Sequence, residues 1–481
     1  MNRLLAVVGG LPLRVGVLVV FALAVPQIYP LPSGTIDIPL STIAAVLLAP
    51  TVAIRTWGNP GVRRLLRTAL MYSVFGLLAI RFLAIFWSPD VGSGRLPMVL
   101  LAQFIITLVL VYGAAGEEPG LLWQVQFAYW PLVMLEALLV VLFRVFPGVE
   151  DGYLHSIAGV FAGQNTVEGL FDVNRNNVLD PTKSGGVFVN ANVAGLFLGV
   201  SAMAAFAVWS ITRRRFLLVA GFVALTGIWF TGSKSGRMFS IVLPLAALAA
   251  YFWPKLRPAL RRYLLIGAGA ASVAAVVLLA VSGGAFAAAV RVAVGERTEI
   301  WGFAAEAFAD HPVLGLGWGG WQEGFASYAA ENGIYNPNFP PHNILLAAWA
   351  STGLIGLALT VLIFWLLLRL VVKSFGRDPL FVAWAGAAFV WVMVQAMGEN
   401  TDVFGEIHLI PALALLLCFL FHPLRQEPGR VEDADIWSRE TSIVPAVRDV
   451  HPEPGAGDEH VPPAVHRTGR GHQGPGQPRH P

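Results

Sequence analysis

The sequence predicts an all-α integral membrane protein with about 12 transmembrane helices and two long extracytoplasmic loops. The chain of 481 residues is 56% hydrophobic and only 13% charged, and its mean hydropathy is +0.66. A soluble domain carries about 25% charged residues. The charges also gather in short clusters between long apolar runs, which is the pattern expected when the runs cross a bilayer.

The apolar runs define the expected helices in chain order. The first run lacks a clear signal-peptide cleavage site, so we expect an uncleaved first helix. Most runs approach the roughly 20 residues that a bilayer requires. The expected spans lie near residues 14–31, 39–54, 68–87, 97–114, 121–146, 188–211, 216–232, 237–254, 263–284, 343–371, 379–397 and 405–422.

Four basic clusters set the expected orientation, and they lie at residues 55–67, 213–215, 255–262 and 373–377. With the N-terminus inside, all four face the cytoplasm, as the positive-inside rule requires. This topology leaves two polar segments outside, 148–187 and 285–342. We therefore expect N-terminal helices and a first outer loop over residues 1–187, and a transmembrane core over 188–422 that carries the large outer loop.

Composition limits the remaining possibilities. Residues 423–481 are rich in Pro, Gly, His and charge, and they are expected to form a disordered cytoplasmic tail. Cys418 is the only cysteine, so no intramolecular disulfide can form and a Cys–His zinc site has too few ligands. The basic pI of about 9.1 reflects orientation in the bilayer rather than nucleic-acid binding.

The first outer segment ends in KSGGVFVNANVAG, which leads directly into an expected helix. Lys183 lies just outside the membrane, and Asn190 and Asn192 lie at its edge. A cation beside amide donors is suited to a lipid-linked phosphate. The alternative is a lysine at the headgroups and asparagines that cap a helix.

A tight outer turn, TGSKSGRM at residues 231–238, carries Lys234 and Arg237. Cations in an outer turn run against the positive-inside trend, and together with backbone donors they suit an anionic ligand. The alternative interpretation is a solvated turn.

The longest outer segment begins GERTEIWGFAAEAFADHPVLGLGWGGW. Arg297, Ile300, Trp301 and Ala304 recur at helical spacing, so a short amphipathic helix is predicted here. Pro312 is expected to end it, and the glycines that follow allow close approach of the backbone to a ligand.

The same segment ends in PPHN, which places His342 and Asn343 at the start of the next span. Histidine is the side chain most readily used as a base near neutral pH. The alternative for a single histidine at a membrane boundary is an interfacial residue.

These three stretches, in this order, resemble the O-antigen ligase and O-antigen polymerase superfamily over roughly residues 180–360. KSGGVFVNANVAG is similar to the family's Arg-x-x-Gly-x-Phe-x-Asn-Pro-Asn segment, and TGSKSG to its Thr-x-Ser-Arg-Gly turn. RTEIW, PVLGLG and HNILLAAWASTGLIG are similar to its signature loop. The sequence departs from the pattern at Lys183 and Lys234, where the family commonly has arginine, and at Ala191, where it has proline.

The resemblance implies a membrane glycosyltransferase. No Asp pair or DxD-like cluster is placed in the sequence to hold a divalent ion, so we expect no metal and no other cofactor. The resemblance also implies that His342 activates an acceptor hydroxyl and that Arg297 binds the carrier diphosphate or shapes the loop. Lys183, Lys234 and Arg237 would bind the diphosphate. Asn343, Asn192 and Trp301 would support the site.

The implied partners are a polyprenyl-diphosphate-linked glycan donor, a glycan or lipid acceptor and the lipid bilayer, with no nucleic acid. The implied location is the cytoplasmic membrane, with the active site facing the extracytoplasmic side. The sequence does not separate a ligase from a polymerase or from an enzyme that glycosylates protein. A multi-span transporter or lipid-linked glycan flippase, and a catalytically inactive scaffold, remain as alternatives.

Two charged residues fall inside expected spans. Arg81 and Glu136 each lie well within an apolar run, where charges are costly and are usually paired or functional. An ion pair between them is therefore one hypothesis.

Overall fold

A computed structural model describes residues 13–25, 39–117, 120–156, 179–180, 182–263, 266, 270, 273, 277, 297–334 and 339–421. Several expectations lie outside these residues: the end of the first span, most of the first outer loop, most of the span at 263–284 and the C-terminal tail.

The described residues form helices and contain no β-strand; their one isolated bridge joins Asp402 to Gly405. The helices are α1 Leu13–Ala22, α2 Leu40–Thr56, α3 Pro60–Leu66, α4 Ala69–Leu83, α5 Arg95–Glu117, α6 Leu121–Val145, α7 Pro147–Leu154, α8 Ala191–Thr212, α9 Arg215–Thr231, α10 Lys234–Phe252, α11 Arg297–Asp310, α12 Gly320–Glu331, α13 Ile344–Ser374, α14 Pro379–Ala396 and α15 Ile410–Phe421.

The helix lengths bear out an integral membrane protein. Seven described helices are long and apolar enough to cross a membrane, and the bent pair α2–α3 would raise that number to eight. Three further apolar helices, α1, α9 and the one ending at Phe421, are shorter. The count of about twelve spans stays a prediction.

Helix α8 lies at the centre of the bundle. It packs against α9, α10 and α14, while α6 packs against α9 and α13 packs against α4. Close approach to α14 depends on Gly199, because a Cβ atom there would lie only 2.1 Å from the Trp391 ring. Small residues at such contacts let membrane helices approach closely.

The amphipathic helix predicted from Arg297 is confirmed as α11, and it ends at Asp310, just before Pro312. Ile300 and Phe303 on α11 pack with Trp321 and Phe325 on α12 and with Trp349 on α13. Through this small hydrophobic core, α11 and α12 pack against α13.

The glycine-rich loop after α11 approaches the protein's own backbone. A Cβ atom at Gly315, where φ is +67°, would lie 2.1 Å from the carbonyl oxygen of Trp349. The loop fits a break in α13 at Gly353, where φ is +68°, and the Leu354 amide donates to Val313 O at 2.9 Å. Glycine is required for backbone packing at Gly315, and the ligand approach expected from sequence stays a prediction.

The proposed Arg81–Glu136 pair is wrong. Arg81 instead forms a two-pronged ion pair with Asp402, with N–O distances of 2.7 and 2.6 Å. Glu136 accepts a hydrogen bond of 3.1 Å from the amide of Val187. The sequence could not reveal either partner because both lie in irregular segments far along the chain.

Candidate functional site

The turn that follows α14 is where the predicted site residues meet. An Nη atom of Arg297 donates to the Gly398 carbonyl oxygen at 2.8 Å, and Asn343 Nδ2 donates to Met397 O at 3.2 Å. The backbone amide of His342 donates to Asn400 Oδ1 at 2.9 Å. Residues 297, 342 and 343 are therefore fixed around one short segment.

Glu399, in the middle of that segment, joins the site to α8. Its carboxyl group forms a hydrogen bond with the Asn192 side chain and lies near the charges of Arg297 and Lys183. Burial raises the pKa of Glu399, and the two cations and the hydrogen bond oppose that shift. The Gln395 side chain adds a second tie, because its Nε2 donates to Asn192 O at 2.9 Å.

His342 lies beside a permanent cation. Burial lowers the pKa of its imidazole, and the positive charge of Arg297 lowers that pKa further. The ring is therefore neutral at neutral pH and can accept a proton. Its backbone φ of +47° is uncommon for a residue with a side chain, and the hydrogen bond from its amide to Asn400 helps to maintain this conformation.

The two lysine-bearing stretches also lie against each other. The Ser184 amide donates to Thr231 O at 2.9 Å. A Cβ atom at Gly232, where φ is +81°, would lie 2.3 Å from Thr182 O. These contacts bring the segment that carries Lys183 to the turn that carries Lys234. The Lys183 ammonium lies 3.7 Å from an Asp180 carboxylate oxygen.

The remaining predicted residues have different surroundings. Lys234 is exposed in the first turn of α10, whose N-terminus is capped by Ser233. Arg237 Nε donates to Trp229 O at 3.0 Å, so part of its guanidinium is used within the turn. Trp301 is half exposed and, among the described residues, forms no hydrogen bond with the other site residues.

The capping interpretation holds for part of the first motif. Asn190 caps α8 by accepting hydrogen bonds from the amides of Asn192 and Val193. Asn343 caps α13 in the same way, and its amide nitrogen also reaches the turn after α14. Asn192 differs, because its side chain bonds to Glu399.

A cavity of about 410 Å³ opens beside this cluster. Asn343, Glu399 and Asn400 of the cluster line it, together with Arg81 and Asp402. Glu399 therefore borders both the cations and the cavity. This arrangement can receive an anionic group on one side and a second molecule on the other.

Sequence reasoning missed Glu399 and Asn400. Both belong to the polar run GENTD at residues 398–402, between two apolar runs. A carboxylate and an amide at the mouth of a span are a signal of the same kind as PPHN.

Within the described part of the chain, no group of three or more His, Cys, Asp or Glu side chains is placed to bind a metal ion. The absence of a metal requirement stays a prediction.

Comparison with known proteins adds one finding. Residues 184–361 match the family model described as O-antigen ligase, a little over a third of the chain. The match includes seven of the eight predicted site residues, while Lys183 directly precedes it. A comparison with curated proteins finds no match. The resemblance seen in the three motifs is thus confirmed: residues 184–361 match the O-antigen ligase family, which supports the O-antigen ligase and O-antigen polymerase superfamily.

Proposed function

We propose that the protein transfers an oligosaccharide or polysaccharide from a polyprenyl-diphosphate carrier to an acceptor hydroxyl, on the outer side of the cytoplasmic membrane. The observation that carries the proposal is the meeting of Arg297, His342 and Glu399 on one turn, with Lys183 close by. A cationic group, a neutral base and a carboxylate beside a cavity are the parts that such a transfer requires.

The cations act on the leaving group. Polyprenyl diphosphate gains negative charge as its bond to the sugar breaks. Arg297, Lys183 and Lys234 stabilise that charge where it develops, which lowers the barrier. Arg237, whose Nε donates to Trp229 O, would extend the same anion-binding surface with the rest of its guanidinium.

His342 acts on the acceptor. The acceptor oxygen attacks the anomeric carbon, its proton passes to the neutral imidazole, and the bond from that carbon to the diphosphate oxygen breaks with its electron pair. Glu399 positions Asn192 and Arg297 during this step. Asn343 and Asn400 hold the backbone of the base in place.

The experiment is transfer of labelled glycan in membranes that contain the full chain, with and without EDTA. The donor is polyprenyl-diphosphate glycan extracted from the producing cells. Arg297→Gln is compared with wild type, and Arg377→Gln, at the opposite end of α13, is the matched control. We expect wild type and the control to transfer glycan in EDTA and Arg297→Gln to lose most transfer.

Two results would count against the proposal. Loss of wild-type transfer in EDTA, with recovery on adding a divalent ion, contradicts transfer without a metal. No transfer by wild type from any extracted donor contradicts the glycosyltransferase itself.

A further inference from the structure

Large apolar side chains are exposed where the glycine-rich loop after α11 meets the end of α4. Within the described part of the chain, Val313 is 60% exposed and Leu314 is 54% exposed. The Trp87 indole nitrogen donates to Leu314 O at 3.1 Å, and Phe86, the residue before it, is 79% exposed. Exposed apolar side chains that are grouped in one place mark a surface that another molecule or a membrane covers.

The length of α4 places this surface at a face of the bilayer. With the 3-10 turn that ends it, α4 forms a span of 19 residues, Ala69–Trp87, and the basic residue Arg67 lies just before it. A bilayer core requires roughly 20 residues. With Ala69 at the face next to the basic cluster, Trp87 therefore lies at the opposite face.

Helix α13 gives the same position independently. The loop contacts α13 at its break, where the Leu354 amide donates to Val313 O at 2.9 Å. From the break the helix continues to Ser374, again roughly 20 residues, with Lys373 in its last turn. The loop therefore lies about one bilayer thickness from the basic ends of both helices.

The backbone of the loop is also paired in the way that contact with lipid requires. Protein donors reach three successive carbonyl oxygens, those of Pro312, Val313 and Leu314. The donors are the Trp349 indole at 3.2 Å, the Leu354 amide at 2.9 Å and the Trp87 indole at 3.1 Å. A loop in water can leave such carbonyl groups to solvent, whereas irregular backbone at membrane depth must be paired within the protein.

We propose that the glycine-rich loop is an interfacial anchor, whose Val313 and Leu314 side chains insert into the lipid leaflet at the face opposite the basic clusters. Phe86 inserts beside them. Trp87 lies at the level of the lipid headgroups, where indole rings are enriched because they combine an apolar body with a hydrogen-bonding group.

Continuity with the membrane-crossing surface identifies the bilayer as what covers the loop. Phe82, one turn before Phe86 on α4, is 58% exposed, and Ile355, just after the break in α13, is 55% exposed. Both helices are candidate spans, so these side chains face lipid. Val313 and Leu314 lie between them and extend the same apolar surface.

The anchor links the bilayer to the candidate site. Helix α11 begins at Arg297 and ends at Asp310, three residues before Val313. Insertion of the loop therefore sets the depth of the helix that carries Arg297. The proposal does not depend on the proposed function, because no substrate and no reaction enters it.

The test is the depth of nitroxide spin labels on the full chain in phosphatidylcholine–phosphatidylglycerol vesicles. Leu314→Cys and Val313→Cys are labelled separately, and wild type gives the background because its single cysteine, Cys418, is buried. Val361→Cys, 48% exposed on α13, is the lipid control, and Ala330→Cys, exposed on α12, is the water control. Collisions of each label with O2, which concentrates among acyl chains, are compared with collisions with a water-soluble nickel complex.

We expect the ratio of O2 to nickel collisions at positions 313 and 314 to rise above the ratio at 330 and toward the ratio at 361. Ratios at both positions equal to that of the water control would overturn the anchor. Shielding of both labels from both reagents would also overturn it, because protein would then cover the loop. Two neighbouring positions are labelled so that misfolding of one variant leaves the test intact.

Discussion

Arg81 and Asp402 lie 321 positions apart in the chain and form a bidentate ion pair. The side chain of Arg81 is 6% exposed and that of Asp402 is 11% exposed. Trp318 Nε1 donates to Arg81 O at 3.0 Å, so the glycine-rich loop is tied to the same point. Asp402 lies three residues after Glu399. The pair therefore anchors α4 and the glycine-rich loop to the segment that carries the site carboxylate.

Removal of one partner should destabilise the protein strongly. We expect Arg81→Ala or Asp402→Ala to lower the free energy of unfolding by about 3–5 kcal/mol, because each leaves an unpaired buried charge. The loss of unfolding free energy in the double variant should be much smaller than the sum of the losses in the two single variants. Denaturant unfolding in detergent micelles measures all three.

A second double-mutant cycle is the control for that prediction. Arg81→Ala combined with Glu136→Gln should show additive losses, because these two residues have different partners. Strong coupling between Arg81 and Glu136, or additive losses for Arg81 and Asp402, would contradict the ion pairing described above.

Glu399→Gln separates positioning from donor binding. Glutamine keeps an acceptor oxygen for Asn192 but removes the charge that attracts Arg297 and Lys183. We expect kcat to fall roughly 10- to 100-fold, since misplaced reacting groups cost that much, while the donor KM does not rise. Steady-state kinetics with labelled donor measure both. An unchanged kcat with a raised donor KM would assign Glu399 to binding only.

The two lysines should act on the donor. We expect Lys183→Ala and Lys234→Ala each to raise the donor KM about tenfold, because each removes a charge-assisted contact to diphosphate. Arginine at either position should retain tight binding. Lys373→Ala, at the other end of α13, is the control. A donor KM that stays at the wild-type value in both alanine variants would contradict the diphosphate site.

The pH profile should report His342. Its pKa is lowered, so the imidazole stays deprotonated at more acidic pH than a free one, and activity should be lost only below about pH 6.5. Arg297→Gln removes a charge that lowers this pKa, so the acid limb of its residual activity should move upward. The measurement is kcat/KM between pH 4.5 and 8. An acid limb that does not move in Arg297→Gln would contradict their electrostatic coupling.

Much of the fold and part of the site could be predicted from the sequence. Apolar runs locate spans because a bilayer imposes length and hydrophobicity on each helix separately. The helix at Arg297 and the cap at Asn190 followed from local spacing and from the needs of a helix terminus. These features depend on neighbouring residues, so a single sequence contains enough to predict them.

The partners of buried charges could not be predicted in this way. Arg81 binds Asp402, and Asn192 bonds to Glu399, across more than 200 residues in each case. Which helix ends meet is decided by the packing of the whole bundle, including the contact of Gly199 with Trp391. The sequence identifies the motif residues by type, but it does not show that they meet at the turn after α14.

The role of His342 as the base is tested by labelled-glycan transfer with His342→Ala, wild type and His311→Ala in parallel. His311 lies just past the end of α11 and is exposed, so it controls for loss of a histidine in the same segment. We expect His342→Ala to bind the polyprenyl-diphosphate donor but to lose transfer, and His311→Ala to keep both. Transfer by His342→Ala at the wild-type rate would contradict the assignment of His342 as the base.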